Sequence, residues 1–149
     1  MAPIVESVEI SRRPEEVFPY ATDPARLSEW QANVVSTVPE GSGPITAGSR
    51  LKHVRRIGRA ERPMTIEITE LTPPRHWALR GLDGPIRPVA TGTIEPLDDG
   101  ERSRATIELD FESHGIGKLL VPLVVRPQAK WELPGNMQRL KERLEGGAS

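Results

Sequence analysis

The sequence predicts an α+β domain in which an antiparallel β-sheet packs its apolar face against a C-terminal helix. Two predicted β-hairpins place their apolar side chains on a common face, and the end of the chain carries apolar residues at helical intervals. A sheet with one apolar face needs a cover, and an amphipathic helix supplies one. We therefore expect a sheet that grips a helix.

Length and composition favour one domain over residues 1–149, which would bury about 70% of its extended-chain surface. The net charge is −1 and the cationic residues are spread along the chain, which predicts no nucleic-acid partner and no attraction to acidic membranes. The chain has no cysteine, so disulfides and thiolate sites are excluded. The first ten residues lack a signal-peptide pattern, and the longest apolar run, LLVPLVV, is too short to cross a bilayer. We expect a cytoplasmic protein without integral membrane association.

The N-terminal segment predicts one strand followed by two short helices. Residues 4–11 alternate imperfectly and are rich in Val and Ile, which favours a strand. Pro14 suits the first turn of a helix, and Pro19 should shorten or distort that helix because it lacks a backbone donor. Asp23, followed by proline, predicts the cap of a second helix that ends near Trp30.

The first predicted hairpin joins two strands through a four-residue turn at 58–61. Its inner pairs are Ile57 with Arg62, Arg55 with Met64, His53 with Ile66 and Leu51 with Ile68. The other face pairs Val54 with Thr65 and Lys52 with Glu67, and this opposite-charge couple predicts the solvent side.

The second predicted hairpin uses Asp98 to Glu101 as its loop. It pairs Ile94 with Ala105, Gly92 with Ile107 and Ala90 with Leu109 inside, and Glu95 with Arg104 and Thr93 with Thr106 outside. The shared register predicts a buried inner face of Met64, Ile66, Ile68, Trp77, Leu79, Ile107, Leu109 and Phe111. It predicts that Lys52, Glu67, Glu95 and Arg104 are exposed.

The C-terminal helix has a predicted apolar face and three prolines. The apolar face consists of Ile116, Leu120, Leu123, Leu133, Met137, Leu140 and Leu144. Pro122, Pro127 and Pro134 each remove a helix donor, so we expect 126–134 to be kinked or partly unwound and only 135–145 to be regular. The irregular stretch would form the mobile part of a pocket mouth.

The stretches PEEVFPYATDPARLSEW, ITAGSRLKHVRRIG, MTIEITELTPPRHWALRG and LLVPLVVR…NMQRLKERLE resemble the START-like (SRPBCC) superfamily, in its polyketide cyclase/dehydrase and lipid-transport branch. The resemblance covers nearly the whole chain. It implies the helix-grip fold: a seven-stranded antiparallel sheet around a long C-terminal helix, two short helices after strand 1, and a cavity for a hydrophobic small molecule. The family includes carriers, sensors, cyclases and proteins without a known ligand, so the resemblance specifies the fold more closely than the activity.

His53 and Arg55 are the side chains best suited to ligand binding or acid–base catalysis. By the hairpin register they share the inner face with apolar side chains, where a charge is costly unless it is paired or wet. One interpretation places them near the sheet edge, reaching water or a carboxylate such as Glu70. The other makes them the polar end of a pocket that binds a ligand carbonyl or carboxylate, with His53 as a candidate catalytic acid or base.

Trp30 and Trp77 are either core aromatics or walls of the pocket. Ala90, Gly92 and Ala105 are small inner-face residues that leave either a cavity or a close approach of the helix. The predicted ligand-binding set is Trp30, His53, Arg55, Met64, Ile66, Trp77, Leu79, Gly92, Leu109, Phe111, Leu120 and Val124. Trp131 is expected either on the rim of the sheet or in the pocket mouth.

Three functions follow from these patterns. The first is a carrier or sensor that binds a hydrophobic or aromatic small molecule, as a monomer or homodimer. The second is a cyclase or dehydratase acting on a polyketide-type substrate, with His53 as acid/base and Arg55 or Glu70 as its partner. The third is an interaction protein with a vestigial cavity, favoured if bulky side chains fill the space beside Gly92. His76 and His114 lack partners at ligand spacing and no hydrolase or phosphate motif occurs, so we expect no metal and no cofactor.

Overall fold

A computed structural model describes residues 2–146 and contains a seven-stranded antiparallel sheet. The strands are β1 (Ile4–Ile10), β2 (Val34–Pro39), β3 (Arg50–Ile57), β4 (Ala60–Thr72), β5 (His76–Gly81), β6 (Ile86–Leu97) and β7 (Arg102–Ser113). Their order is β1-β7-β6-β5-β4-β3-β2, so the first two strands of the chain form the two edges of the sheet. The predicted helix-grip architecture is confirmed.

Two short helices follow β1, as the sequence predicts. Helix α1 spans Pro14–Ala21, and a 3₁₀ turn at Pro24–Arg26 leads into α2 (Leu27–Trp30). The Asp23 carboxylate accepts a hydrogen bond from the Ala25 N–H at 3.0 Å, which satisfies a donor that the helix start leaves free.

The two central hairpins differ in how well the sequence predicts their registers. β6 and β7 pair as expected, with Ile94 opposite Ala105. In the β3–β4 hairpin the predicted pairs are wrong by two residues, because the turn has two residues and Ile57 pairs with Ala60. Gly58 takes a φ of 62° at this turn, a conformation that tight hairpins require and that glycine adopts without strain. A shift of two preserves the face of every side chain.

The inner and outer faces of the sheet are those that the sequence predicts. Met64, Ile66, Ile68 and Trp77 are buried, whereas Leu79, Ile107, Leu109 and Phe111 are half-buried. Lys52 and Glu95 are exposed. Glu67 and Arg104 are half-buried at the outer surface, where they form ion pairs with Arg80 at 3.1 Å and with Glu9 at 3.2 Å.

A β-bulge in β4 moves Glu70 away from the inner face. The pairing with β5 shifts between Ile68 and Glu70, so that Leu71 packs into the core in place of Glu70. The exposed Glu70 carboxylate lies 2.7 Å from His76 Nε2. The expectation that Glu70 shares a face with His53 is therefore wrong, because the extra residue of the bulge reverses the alternation.

The C-terminal helix is continuous over residues 117–146. It consists of α3 (Gly117–Leu120), a π-helical turn (Val121–Val125) and α4 (Arg126–Gly146). The predicted unwinding of 126–134 is wrong. The Arg126 N–H bonds to the Val121 carbonyl five residues back, and this wide turn makes room for the ring of Pro127. Pro134 lies on the exposed side of α4, so the Lys130 carbonyl, which loses its helical donor, is on the solvent side of the helix.

The buried face of this helix changes at the π turn. Leu133, Met137, Leu140 and Leu144 are buried as predicted. Ile116 and Leu123, which the sequence assigns to the same face, are 60% and 71% exposed, and Leu120 is half-buried. Val121 and Val125 are buried in their place, because the π turn alters the helical period that the prediction assumed. Among residues 2–146, no helix is both long enough and apolar enough to cross a bilayer.

Candidate functional site

A cavity of about 150 Å³ lies between the inner face of the sheet and the C-terminal helix. Leu79, Ile107, Leu109 and Phe111 line it, which explains why these inner-face residues are half-buried. A larger depression of about 370 Å³ lies outside the sheet, where Lys52, Pro63 and Asp83 are exposed. The apolar cavity between sheet and helix is therefore the candidate site.

Most of the predicted ligand-binding residues surround this cavity. The lining includes Trp30, His53, Arg55, Met64, Ile66, Trp77, Leu79, Leu109 and Phe111. Gly92, Leu120 and Val124 do not line it. Leu120 and Val124 pack instead against the cluster of Ile57, Ile86, Val121 and Val125 at one end of the helix.

The indole of Trp77 fills the space over Gly92. A Cβ atom at Gly92 would overlap the six-membered ring of Trp77, so this glycine allows a close approach of the aromatic side chain. A bulky side chain beside Gly92 is the condition that favours the third hypothesis, an interaction protein with a vestigial cavity. The remaining volume lies further along β6, where Ala90 and Thr91 line the cavity. Filling at Gly92 thus narrows one part of the cavity and leaves the rest open.

His53 is a buried histidine at the polar end of the cavity. Its Nδ1 lies 2.8 Å from the Thr37 hydroxyl, and both residues are buried. Burial and, to a smaller extent, the neighbouring Arg55 guanidinium lower the pKa of His53 to about 4. The imidazole is therefore neutral at pH 7.

Arg55 lies beside His53 and points to the helix. Its Nη2 donates a hydrogen bond to Gln31 Oε1 at 2.7 Å, and its Nη1 lies 4.0 Å from Glu132 Oε2. Burial lowers the pKa of Arg55, whereas the charge of Glu132 acts in the opposite direction. The hypothesis that Arg55 reaches Glu70 is wrong, because the carboxylate that it faces comes from α4.

Glu132 and Asn136 are buried polar residues that the sequence analysis missed. Glu132 accepts hydrogen bonds from Asn33 Nδ2 and, at 2.8 Å, from Gln128 Nε2. Asn136 Oδ1 accepts from the Ala32 N–H at 2.9 Å. The signal was a polar residue at every fourth position, 128, 132 and 136, next to the buried apolar positions 129, 133 and 137. Residues four apart share a face only in a helix, so the expectation that 126–134 unwinds hides this pattern.

Trp30 lines the cavity and carries a buried hydrogen-bond donor. The residue is 1% exposed and lines the cavity. Within residues 2–146, its Nε1–H has no hydrogen-bond partner. A buried donor without a partner costs about 1–3 kcal/mol.

Trp131 occupies neither of its expected places, since it is 82% exposed. No group of three or more His, Asp or Glu side chains in the described part of the chain is placed to hold a metal ion.

Comparison with known proteins supports the fold. A family profile described as "Polyketide cyclase / dehydrase and lipid transport" matches residues 1–145. The structure of TTHA0849 from Thermus thermophilus superposes with a TM-score of 0.78, at 21% identity over 99% of both chains. The Zhui aromatase/cyclase from Streptomyces sp. R1128 superposes with a TM-score of 0.74, at 13% identity over 99% of this chain and 98% of that chain. At these identities the likeness concerns the fold alone. No curated protein matches the chain in sequence.

Proposed function

Because the chain belongs to the polyketide cyclase/dehydrase and lipid transport family, we propose that it is a carrier or sensor that binds a hydrophobic or aromatic small molecule in the cavity between sheet and helix. One observation carries the proposal: the cavity has mostly apolar walls, and its lining also includes the buried His53 and the half-buried Arg55. Ligand pockets combine apolar walls with a few such polar groups, which orient the ligand.

The charges at the polar end favour a neutral oxygen in the ligand. Arg55 and Glu132 carry opposite charges 4.0 Å apart, and His53 is neutral at pH 7, so the polar end has no net charge. A ligand carboxylate would add a buried negative charge without a counterion, which costs several kcal/mol. A carbonyl or phenol oxygen accepts a hydrogen bond from Arg55 without that cost.

The size of the cavity favours a compact ligand. Its volume of about 150 Å³ is similar to that of an engineered apolar cavity that binds benzene. We therefore propose a ligand of one or two rings that carries a carbonyl or phenol group.

The site supports binding better than proton transfer. A general base works best when its pKa is near the working pH, whereas the pKa of His53 is lowered to about 4. Glu132, the other candidate base, already accepts hydrogen bonds from Asn33 and Gln128. The cyclase or dehydratase alternative thus rests on the family and on the fold, without a group tuned for the reaction.

The proposal is tested by native mass spectrometry of freshly purified protein and by titration with an aromatic methyl ketone. Ala90→Leu fills the cavity, and Val89→Leu adds volume on the exposed side of the same strand as a matched control. We expect a bound small molecule in the wild type and in Val89→Leu, and its loss in Ala90→Leu together with at least tenfold weaker ketone binding. Equal ketone affinity in all three proteins would contradict binding in this cavity.

A further inference from the structure

Four large apolar side chains are exposed along the first half of the C-terminal helix. Ile116 is 60% exposed, Leu119 64%, Leu123 71% and Trp131 82%. Soluble proteins expose single apolar residues commonly, but a contiguous group of this size often marks an interaction surface. We call these four residues the helix stripe.

The π turn that shifts the buried face also aligns the exposed apolar side chains of the helix stripe. The exposed positions 119, 123, 127 and 131 follow one another at intervals of four, and so do the buried positions 121, 125, 129 and 133 on the opposite side. In a regular α-helix, residues four apart drift by about 40° at each step. The π turn has more residues per turn and reduces that drift, so two apolar rows run along opposite sides of one helix.

The exposed charges beside the helix stripe are mostly positive. Within 115–131 the exposed ionisable residues are Lys118 and Lys130. Arg126 is buried, and its Nη1 lies 2.8 Å from Asp110. The exposed Arg59 sits in the β3–β4 turn, which packs against Val124 through Gly58.

Carboxylates lie on the neighbouring loops and strands. Asp83 belongs to the β5–β6 loop, whose Pro85 contacts Gly117, and its carboxylate accepts the Thr65 N–H at 2.8 Å. Glu61 in the hairpin of Arg59 and Glu112 near the end of β7 are also exposed, so the positive charge beside the helix stripe comes from Lys118 and Lys130 on the helix itself.

Area and charge argue against a second copy of the chain as the occupant. The four side chains expose on the order of 500 Å², whereas each partner in a standard protein interface buries about 800 Å². A two-fold dimer through an antiparallel pair of these helices would also bring Lys118 of one copy towards Lys130 of the other. An isolated row of protruding apolar side chains flanked by lysine suits a lipid surface, where tryptophan and lysine are common at the headgroup level.

The net charge of −1 predicts no attraction of the whole chain to acidic membranes. Because Lys118 and Lys130 flank the exposed apolar side chains, we propose instead that the helix stripe docks the protein peripherally on a lipid bilayer that contains anionic lipids. Ile116, Leu119, Leu123 and Trp131 insert at the boundary between headgroups and acyl chains, and Lys118 and Lys130 contact the anionic headgroups. The opposite side of the same helix lines the cavity through Val125, Ala129 and Leu133. The docking itself does not depend on an occupied cavity.

Vesicle flotation tests the proposal with phosphatidylcholine vesicles and with vesicles that contain phosphatidylglycerol. The test variant is Leu123→Ser/Trp131→Gln, and Val5→Gln/Val38→Gln is the matched control because Val5 and Val38 are exposed on the two edge strands. We expect the wild type and the control to float with the phosphatidylglycerol vesicles and the test variant to bind at least tenfold more weakly. Lys118→Gln/Lys130→Gln should reduce binding mainly at low salt.

Trp131 provides an independent readout. On addition of phosphatidylglycerol vesicles its fluorescence should shift to the blue and be quenched by brominated lipids, and Trp131→Phe should abolish both effects, because Trp30 and Trp77 are already buried. Failure of the wild type to float at low salt would overturn the proposal. Equal flotation of the test variant would also overturn it, as would a dimer in sedimentation that Leu123→Ser/Trp131→Gln abolishes.

Discussion

Arg55 Nη1 on β3 and Glu132 Oε2 on α4 lie 4.0 Å apart across the cavity's polar end. The pair joins the sheet to the helix, and Glu132 is held in place by Asn33 and Gln128. Its members are 77 positions apart in sequence, so no local sequence pattern predicts the pair. The pair makes the polar end neutral overall. The next three predictions, on Arg55 and Glu132, depend on that charge balance.

Glu132→Gln should change the ligand preference. The substitution leaves the Arg55 charge without a counterion while a glutamine oxygen still accepts from Asn33 and Gln128. In the wild type we expect an aromatic ketone to bind more tightly than a carboxylate of the same shape. In Glu132→Gln we expect carboxylate affinity to rise about tenfold, or about 1.4 kcal/mol. Calorimetric titration measures both ligands, and an unchanged ratio would contradict the charge argument.

Arg55→Met should weaken ketone binding, since it removes the guanidinium donor at the polar end of the cavity. The matched control is Arg56→Met, because Arg56 is exposed and forms an ion pair with Glu61 at 3.5 Å. The sequence alone predicted that truncating His53 or Arg55 to alanine would weaken binding more than folding, and this stays a prediction for His53. For Arg55 we now expect a stability loss of about 2 to 3 kcal/mol, because Glu132 would be left buried without its countercharge.

The double variant Arg55→Met/Glu132→Gln separates the two effects. It should recover most of the lost stability while ketone binding stays weak. Chemical denaturation and titration of the same samples decide the matter, and a double variant no more stable than Arg55→Met would show that the two residues are not coupled.

His53 should make the protein less stable in mildly acidic solution. Its pKa is about 4 in the folded state and about 6.5 when unfolded. The unfolded chain therefore takes up a proton first as the pH falls, and stability decreases from about pH 6.5 down to pH 4. Between pH 7 and pH 5 the loss amounts to about 2 kcal/mol.

His53→Gln should flatten this pH dependence, whereas His114→Gln, an exposed histidine, should leave it as it is. Denaturation at both pH values gives the comparison. Parallel curves for the wild type and His53→Gln would show that another group is responsible.

Pro134→Ala should stabilise α4 without lengthening it. If the prolines unwound 126–134, replacing Pro127 and Pro134 by alanine would extend the helix and slow ligand exchange, but 126–146 is already helical. Alanine at 134 supplies the donor that proline lacks, and we expect about 1 kcal/mol of added stability. Helical content by circular dichroism should stay the same, and a marked increase would show that this segment unwinds in solution.

Local chemistry made much of the fold predictable. Alternating apolar residues determined both faces of β6 and β7, and Asp23 followed by Pro24 determined the start of the second short turn, because these signals depend on neighbours along the chain. The same alternation placed His53 and Arg55 on the inner face even though the predicted turn was too long, since an even shift of register keeps each face.

Tertiary structure decided what those side chains meet. The bulge turns Glu70 outward and the π turn exposes Leu123. Each changes the side of the strand or helix that the following residues face, and the sequence of the element does not reveal this change. The indole of Trp77 over Gly92 and the carboxylate of Glu132 beside Arg55 join residues from separate elements. The sequence by itself determined which faces are apolar and where polar groups interrupt them. Only the packing of helix on sheet decided which polar groups are paired, because burial and charge balance depend on neighbours that the chain brings together through space.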